Sequence, residues 1–258
     1  MKIKDSFKYG SRYNIEYILT KILNKDKMFL YLNEDFEFDE TYFLEIIEKI
    51  EKNYPIEYIF EEVYFYSQKF YIKEKVLIPR DDTEILIDIA KEELKKFKEK
   101  IKIAEIGVGS GVISITLSKL FPNFSFIGSD INPVAIEIAE KNSKLHNQNI
   151  KFYLTNLLDN IDEKIDVIIS NPPYVEKSWQ NEKLKYEPKE AIFADDNGTS
   201  ILKQIVKLAI EKKVKLLICE MGYNQKRIMS SFFETYNIQN YYFYKDLNNN
   251  DRGFVLKF

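Results

Sequence analysis

The chain of 258 residues has one cysteine, Cys219, and one histidine, His146. A single cysteine excludes an internal disulfide framework and a cysteine-ligated structural zinc site. A single histidine excludes a histidine-rich metal cluster, so no metal is expected. His146, among Lys144, Asn147 and Asn149, reads as a solvated residue near a helix end. Arginine is scarce too: of 38 basic residues only Arg12, Arg80, Arg227 and Arg252 carry the planar fork suited to bidentate recognition. A formal net charge of −3 is the wrong sign for a protein that grips nucleic acid mainly by its bulk field. No apolar run approaches the ~18–20 residues that span a bilayer, and the opening MKIKDSFKYGSRYN has no apolar h-region. A cytoplasmic protein without a membrane partner is expected.

Hydrophobic residues make up 45% of the chain and aromatics 15%, enough for a sizeable core. Residues 1–54 read as short amphipathic helices. In DETYFLEIIEKIEKN, Phe43, Ile46, Ile47 and Ile50 recur at helical spacing, and Tyr13, Tyr17, Leu19, Ile22 and Leu23 form a weaker stripe. Residues 55–78 read as a β-hairpin connector, with EVYFYSQKFYI and KVLI as strands around a polar turn. From residue 79 to 258 strands and helices alternate, the pattern of a parallel α/β sheet. Asp81 and Glu84 have capping-box spacing for a helix to about Lys98, and Asn132 with Pro133 opens a later one. Strands are expected at 101–106, 124–129, 150–154, 166–170, 214–220, near 239–244 and at 253–258. DLNNNDRG joins the last two as a hairpin, so the final strand of the seven should run antiparallel.

Three segments carry chemistry. Glu105-Ile106-Gly107-Val108-Gly109-Ser110-Gly111 joins a strand to a helix, where glycines permit a tight turn and close approach of a ligand. Read from Gly107, the sixth position is Val112, so the dinucleotide fingerprint G-x-G-x-x-G fails. The spacing suits a nucleoside cofactor without a pyrophosphate, such as S-adenosylmethionine. Asp130 ends the next strand, where a carboxylate can accept both ribose hydroxyls of an adenosine. Asn132-Pro133 supplies the helix cap, which frees Asp130 for that task.

Asn171-Pro172-Pro173-Tyr174 follows the strand DVIIS. Two prolines stiffen the segment and remove two donors. The Asn171 amide oxygen and the Pro172 carbonyl then form a pair of acceptors for both hydrogens of a planar –NH₂, and the Tyr174 ring can stack on the planar group. An amide nitrogen is a poor nucleophile, and accepting both its N–H bonds returns electron density to nitrogen. Methyl transfer from a sulfonium is an in-line displacement, in which orientation can supply ~7–11 kcal/mol.

With these segments in hand, the sequence resembles the class I S-adenosylmethionine-dependent methyltransferases of the N-P-P-Y branch, and within it the bacterial peptide-chain-release-factor glutamine N5-methyltransferases, the HemK family. PIEYIFEEVYF, VLIPRDDTE, YEPKEAIFADDNG, EMGYNQ and KDLNNNDRGF resemble further blocks of that family, so the likeness covers residues 55–258 well and the N-terminus loosely. The resemblance implies a seven-stranded Rossmann-like methyltransferase sheet behind a small helical domain that docks the protein substrate. It implies that Gly107, Val108, Gly109, Ser110, Gly111 and Asp130 hold the cofactor, with Leu157 over the adenine. Asn171 would touch cofactor and substrate, and Asn171, Pro172, Pro173 and Tyr174 would bind the glutamine amide of a Gly-Gly-Gln loop in release factors, with Asn171, Pro172 and Tyr174 as the catalytic set. A monomer is expected. Arg80, Thr83 and Glu187 fall in family blocks without an assignable role. Asp81 stands where the family usually has proline, and Glu61 where it usually has glycine.

N-P-P-Y also suits enzymes that methylate exocyclic amines of bases, because adenine N6 and a glutamine amide present the same planar –NH₂. Such an enzyme needs a basic groove and a flipping pocket. The acidic balance and the few arginines favour a protein substrate with no stable nucleic-acid partner. A glutamine methyltransferase acting on a ribosomal protein would carry the same motif and differ only in its docking region. A cofactor-binding module without turnover would have no use for the rigid pair of acceptors.

Overall fold

The computed structural model describes residues 1–179 and 181–258. The chain divides into two compact units, Met1–Phe60 and Glu61–Phe258.

The first unit contains helices α1 (Ile3–Ser6), α2 (Arg12–Leu23), α3 (Lys27–Leu32), α4 (Thr41–Glu51) and α5 (Ile56–Phe60). Ser11 and Asp26 cap α2 and α3 by accepting the N–H groups of Asn14 (3.3 Å) and Phe29 (2.8 Å). Phe43, Ile46 and Ile47 of α4 are buried, with Ile50 packed alongside. The stripe on α2 is rotated from the expected one. Ile15, Ile18 and Leu19 are buried, whereas Tyr13 is 71% exposed. Hydrophobic side chains one turn apart at 15, 18 and 19 define a tighter face than tyrosines with a polar tip can.

The second unit opens with a hairpin, β1 (Glu62–Phe65) and β2 (Gln68–Tyr71), turned by Tyr66 and Ser67, both at positive φ. Its partner strand is QKFY and not KVLI. Residues 75–78 run without regular structure, because the two-residue turn already pairs Glu62 with Tyr71. Glu61, at the family's glycine position, has φ 51, a left-handed conformation that favours glycine. Asp81, at the family's proline position, has φ −58, close to the value a proline ring fixes.

Helix α6 (Asp82–Leu94) follows without the expected capping box. The Asp81 side chain makes no cap bond, and the Glu84 carboxylate instead accepts the N–H of Tyr66 at 2.6 Å. A strained hairpin turn offers a donor that has no ladder partner, and Glu84 satisfies it. The remaining elements are β3 (Lys102–Ile106), α7 (Val112–Leu120), β4 (Ser125–Asp130), α8 (Pro133–Leu145), β5 (Lys151–Leu154) and β6 (Val167–Ser170). After them come β7 (Val175–Glu176), β8 (Phe193–Ala194), α9 (Ser200–Glu211), β9 (Leu216–Glu220), α10 (Lys226–Thr235), β10 (Tyr241–Lys245) and β11 (Asp251–Lys257).

Seven strands form one sheet in the order β10-β11-β9-β6-β3-β4-β5. Neighbours from β9 to β5 pair in parallel, and β11 pairs antiparallel with both β9 and β10. The inverted strand is the last in sequence, as the NNND turn requires. Strands β6 and β9 are buried along their whole length, matching their continuous apolar sequence. The chain leaves β3 toward β4 and β5, then returns to the other side of β3 to lay down β6. That reversal opens a crevice at the carboxyl ends of β3 and β6, the usual ligand position in such sheets.

Candidate active site

A cleft of about 170 Å³ occupies this switch point. Gly107, Val108, Gly109 and Ser110 of the loop after β3 line it, with Asp130 at the end of β4 and Leu157 beyond β5. Asn171, Pro172 and Pro173, just past β6, form the opposing wall. Segments far apart in sequence therefore meet as expected. Gly111 and Tyr174 are not on the wall.

The loop conformation depends on its glycines. Gly107, Gly109 and Gly111 have φ values of 71, 53 and 83°. A Cβ on Gly107 or Gly109 would meet nothing within 4 Å, whereas one on Gly111 would lie 2.9 Å from Ile115 and 3.3 Å from Ala139. Gly111 thus serves helix packing behind the loop. Asn142 of α8 is fully buried and holds the loop from below: its Nδ2 donates to Ser110 O (2.8 Å) and Tyr71 O (2.9 Å), and its Oδ1 accepts the Tyr71 N–H.

Asp130 Oδ2 accepts the Gly109 N–H and Oδ1 the Asn132 N–H, both at 2.9 Å. Burial pushes its carboxyl up from the ordinary range, while these backbone donors pull it down. The helix cap falls to Asn132, whose Oδ1 accepts the Val134 N–H at 2.9 Å. Glu105, at the end of β3, is a lining residue that sequence reasoning left out, although it heads the E-x-G-x-G-x-G run. It is buried, its Oε2 accepts the Ser114 N–H at 2.8 Å, and burial pushes its carboxyl up to about 8. Glu190 joins Glu105 and Asp130 on the wall, against one basic lining residue, Lys75. Burial keeps the Glu105 carboxyl largely protonated at neutral pH, so Asp130 and Glu190 are the groups on the wall that disfavour a pyrophosphate and favour a cationic ligand.

On the opposing wall, Asn171 Nδ2 donates to Thr83 Oγ1 at 3.0 Å. Among the described residues, nothing donates to Asn171 Oδ1 or to the Pro172 carbonyl. Tyr174 departs from its expected position. Its hydroxyl donates to Glu220 Oε1 at 2.8 Å and its ring packs against the sheet core, so a partner at the end of β9 draws it away from the cleft. The Tyr174 carbonyl accepts from Gln225 Nε2 at 2.7 Å, and Gly198 (φ 78) passes so close that a Cβ would lie 2.0 Å from that carbonyl. Arg80 and Glu187 form a pair: Glu187, nearly buried, accepts Arg80 Nη2 at 2.5 Å and the Ile78 N–H at 3.2 Å, tying the segment before α6 to the loop before β8.

Elsewhere, His146 is half-buried and not freely solvated: it caps α8, stacks on Phe70 at 4.4 Å and meets the Lys69 carbonyl. Cys219 is buried on β9, and burial raises its thiol pKa, as expected for an inert core residue. Trp179 is 48% exposed. Among the described residues, no helix is long and apolar enough to cross a membrane.

The sheet order with its inverted last strand, and the cleft at the switch point, define a class I methyltransferase. Residues 81–187 match the family model described as methyltransferase small domain. The N-terminal domain of human METTL16, solved in complex with SAH, aligns with a TM-score of 0.52 at 16% identity, covering 72% of this chain and 74% of that one, a likeness of fold alone. In sequence, the release factor glutamine methyltransferase of Francisella tularensis is 32% identical over 94% of this chain and 89% of its own length. That of Dictyoglomus turgidum is 35% identical over 93% and 90%. The chain belongs to the release factor glutamine methyltransferase family.

Proposed function

We propose that this enzyme transfers a methyl group from S-adenosylmethionine to the side-chain amide nitrogen (N5) of a glutamine in the Gly-Gly-Gln loop of peptide chain release factors. The observation that carries the reading is the acceptor pair on consecutive residues of the cleft wall: Asn171 Oδ1 and the Pro172 carbonyl, without a donor among the described residues. S-adenosylmethionine, when bound, supplies a sulfonium methyl open to displacement by a nitrogen lone pair.

Residues of the β3–β4 side fit that cofactor. The backbone of Gly107 to Ser110 gives it close approach, Asp130 is placed for the ribose hydroxyls, and Leu157 offers an apolar cover for the adenine. The carboxyl groups of Asp130 and Glu190 match a positively charged ligand. On the other side, Asn171 and Pro172 hold both amide hydrogens and so fix the nitrogen's direction. This orientation supplies the larger part of the rate gain, of the order of ~7–11 kcal/mol when both reactants are fixed. It also stabilises the positive charge that develops on nitrogen as the N–methyl bond replaces the sulfur–methyl bond; the neutral thioether leaves, and one of the two amide protons is then lost to solvent.

The helical first unit serves as the docking element for the release factor. The same reading makes the cytoplasm its compartment and a monomer its working form, with no stable nucleic-acid or membrane partner. The test is methyl transfer from labelled S-adenosylmethionine, with purified release factor, ribosomal proteins and DNA offered in parallel and the labelled peptide mapped by mass spectrometry. Label on the loop glutamine is expected; label on DNA or a ribosomal protein instead overturns the substrate.

A further inference from the structure

We infer that Gln225 is a positioning residue: its buried amide clamps the far end of the Asn171–Tyr174 segment and so sets where the Pro172 carbonyl points. This rests on the function proposed above, in which that carbonyl accepts one hydrogen of the substrate amide.

Two consecutive prolines cannot hold their own segment in place. Pro172 and Pro173 fix two φ angles but have no N–H, so ψ at both residues stays soft unless the ends are anchored. The ψ angle of Pro172 is the one that aims its carbonyl. At the near end, Ser170 is paired in the sheet with Ile106 and Cys219. At the far end, the peptide plane joining Tyr174 to Val175 is held on both edges. Its N–H donates to Ile192 O at 2.9 Å, and its carbonyl accepts Gln225 Nε2 at 2.7 Å.

Gln225 immediately precedes α10 and is 2% exposed. Its Nε2 also donates to Asn197 O at 3.0 Å, and its Oε1 accepts the Gly222 N–H at 2.8 Å. Two carbonyls and one N–H face the amide, so it fits only one way round. Two glycines make room for it. A Cβ on Gly222 would lie 3.2 Å from Gln225 Cδ, and one on Gly198 would lie 2.6 Å from Nε2. One side chain thereby joins the acceptor segment to the loops that follow β8 and β9. The sequence blocks YEPKEAIFADDNG and EMGYNQ gain a task from this: the first brings Asn197 and Gly198 against Tyr174, and the second supplies Gly222 and the clamp itself.

Gln225→Met keeps the bulk and removes these three hydrogen bonds. Gln225→Asn keeps the amide but is one methylene too short to bridge Gly222 and Tyr174. The readouts are kcat and KM for a glutamine-bearing release factor, the cofactor dissociation constant, and the carbonyl resonance of Tyr174. Tyr-Val occurs once in the chain, so carbonyl-labelled tyrosine with nitrogen-labelled valine marks that one peptide. Gln225→Met should lower kcat about 10- to 100-fold, the cost of a misaimed group, with KM and cofactor affinity unchanged. It should also move the Tyr174 carbonyl upfield, the direction taken when a donor is lost. Gln225→Asn should do both to a smaller extent, and decides on the same readouts if Gln225→Met fails to fold. Wild-type kcat in the folded variant overturns the inference. So do an unmoved Tyr174 carbonyl, a loss confined to KM, and a loss of cofactor affinity as large as that of kcat. A wild-type protein that methylates no glutamine refutes the proposed function separately; the Tyr174 carbonyl then tests the clamp without turnover, and kcat is read on whichever amine takes the label.

Discussion

On the β3–β4 side of the cleft, groups are held by nearby backbone: Asp130 by the N–H groups of Gly109 and Asn132, Glu105 by that of Ser114, the loop by its own positive-φ glycines. On the β6–β9 side they are held by distant side chains: Asn171 by Thr83, Tyr174 by Glu220, the Tyr174 carbonyl by Gln225. The first wall is built mainly from backbone donors of a strand, a glycine turn and a helix, with one distant side chain, Asn142, bracing its loop. The second is a tertiary device, correct only when α6, β6, β9 and α10 are all in place. Binding can therefore tolerate changes that catalysis cannot, and the two walls should fail differently.

The largest effect expected is on the second wall. Asn171→Ala should lower kcat by about 100- to 1000-fold, the usual cost of one preorganised hydrogen-bonding group, while the cofactor dissociation constant stays nearly unchanged. Steady-state methyl transfer and calorimetric titration check the pair. Next, Gly198→Ala puts a methyl against the Tyr174 carbonyl at a positive φ and should cost roughly 2–3 kcal/mol of stability in urea denaturation. A cost near zero would show that the wall yields to local change. Asp130→Ala strikes the first wall, and loss of charge-assisted hydrogen bonds should raise the cofactor dissociation constant by about 10- to 100-fold. Unchanged binding would remove the ribose assignment.

Glu105 gives a smaller, pH-dependent effect. Its folded pKa of about 8 lies above its ordinary value of 4.5, so the folded state holds the proton more tightly than the unfolded chain. Stability of the ligand-free protein should fall as pH rises through that window, by at most about 1.4 kcal/mol per pH unit from this group. Glu105→Gln should flatten that part of the profile, as read by thermal denaturation across pH. Smallest is Glu61→Gly, which relieves a left-handed backbone and should stabilise by about 0.5–1 kcal/mol.

The same division explains what could be read from the chain without its structure. The Asn132 cap and the final hairpin are set by residues a few positions apart, and the glycine turn and the carboxylate ending the next strand lie in one strand–turn–helix–strand stretch; all were legible. The capping box at Asp81 failed because Glu84 serves the Tyr66 N–H, a donor 18 positions away. Tyr174 was misplaced because its hydroxyl partner lies 46 positions downstream, and Thr83 had no visible role because Asn171 lies 88 positions from it. Periodicity and local motifs carry no information about such pairs. Glu105 was within sight as the first letter of its motif, but its burial became clear only with the sheet around it.

The central claim is that one wall binds and the other directs the reaction. It is tested most directly by measuring cofactor affinity and single-turnover methylation of a release factor side by side for Asp130→Ala and Asn171→Ala. A crossed result is expected: Asp130→Ala weakens binding yet turns over well at saturating cofactor, and Asn171→Ala binds normally yet turns over slowly. Parallel losses of binding and turnover in both variants would contradict it.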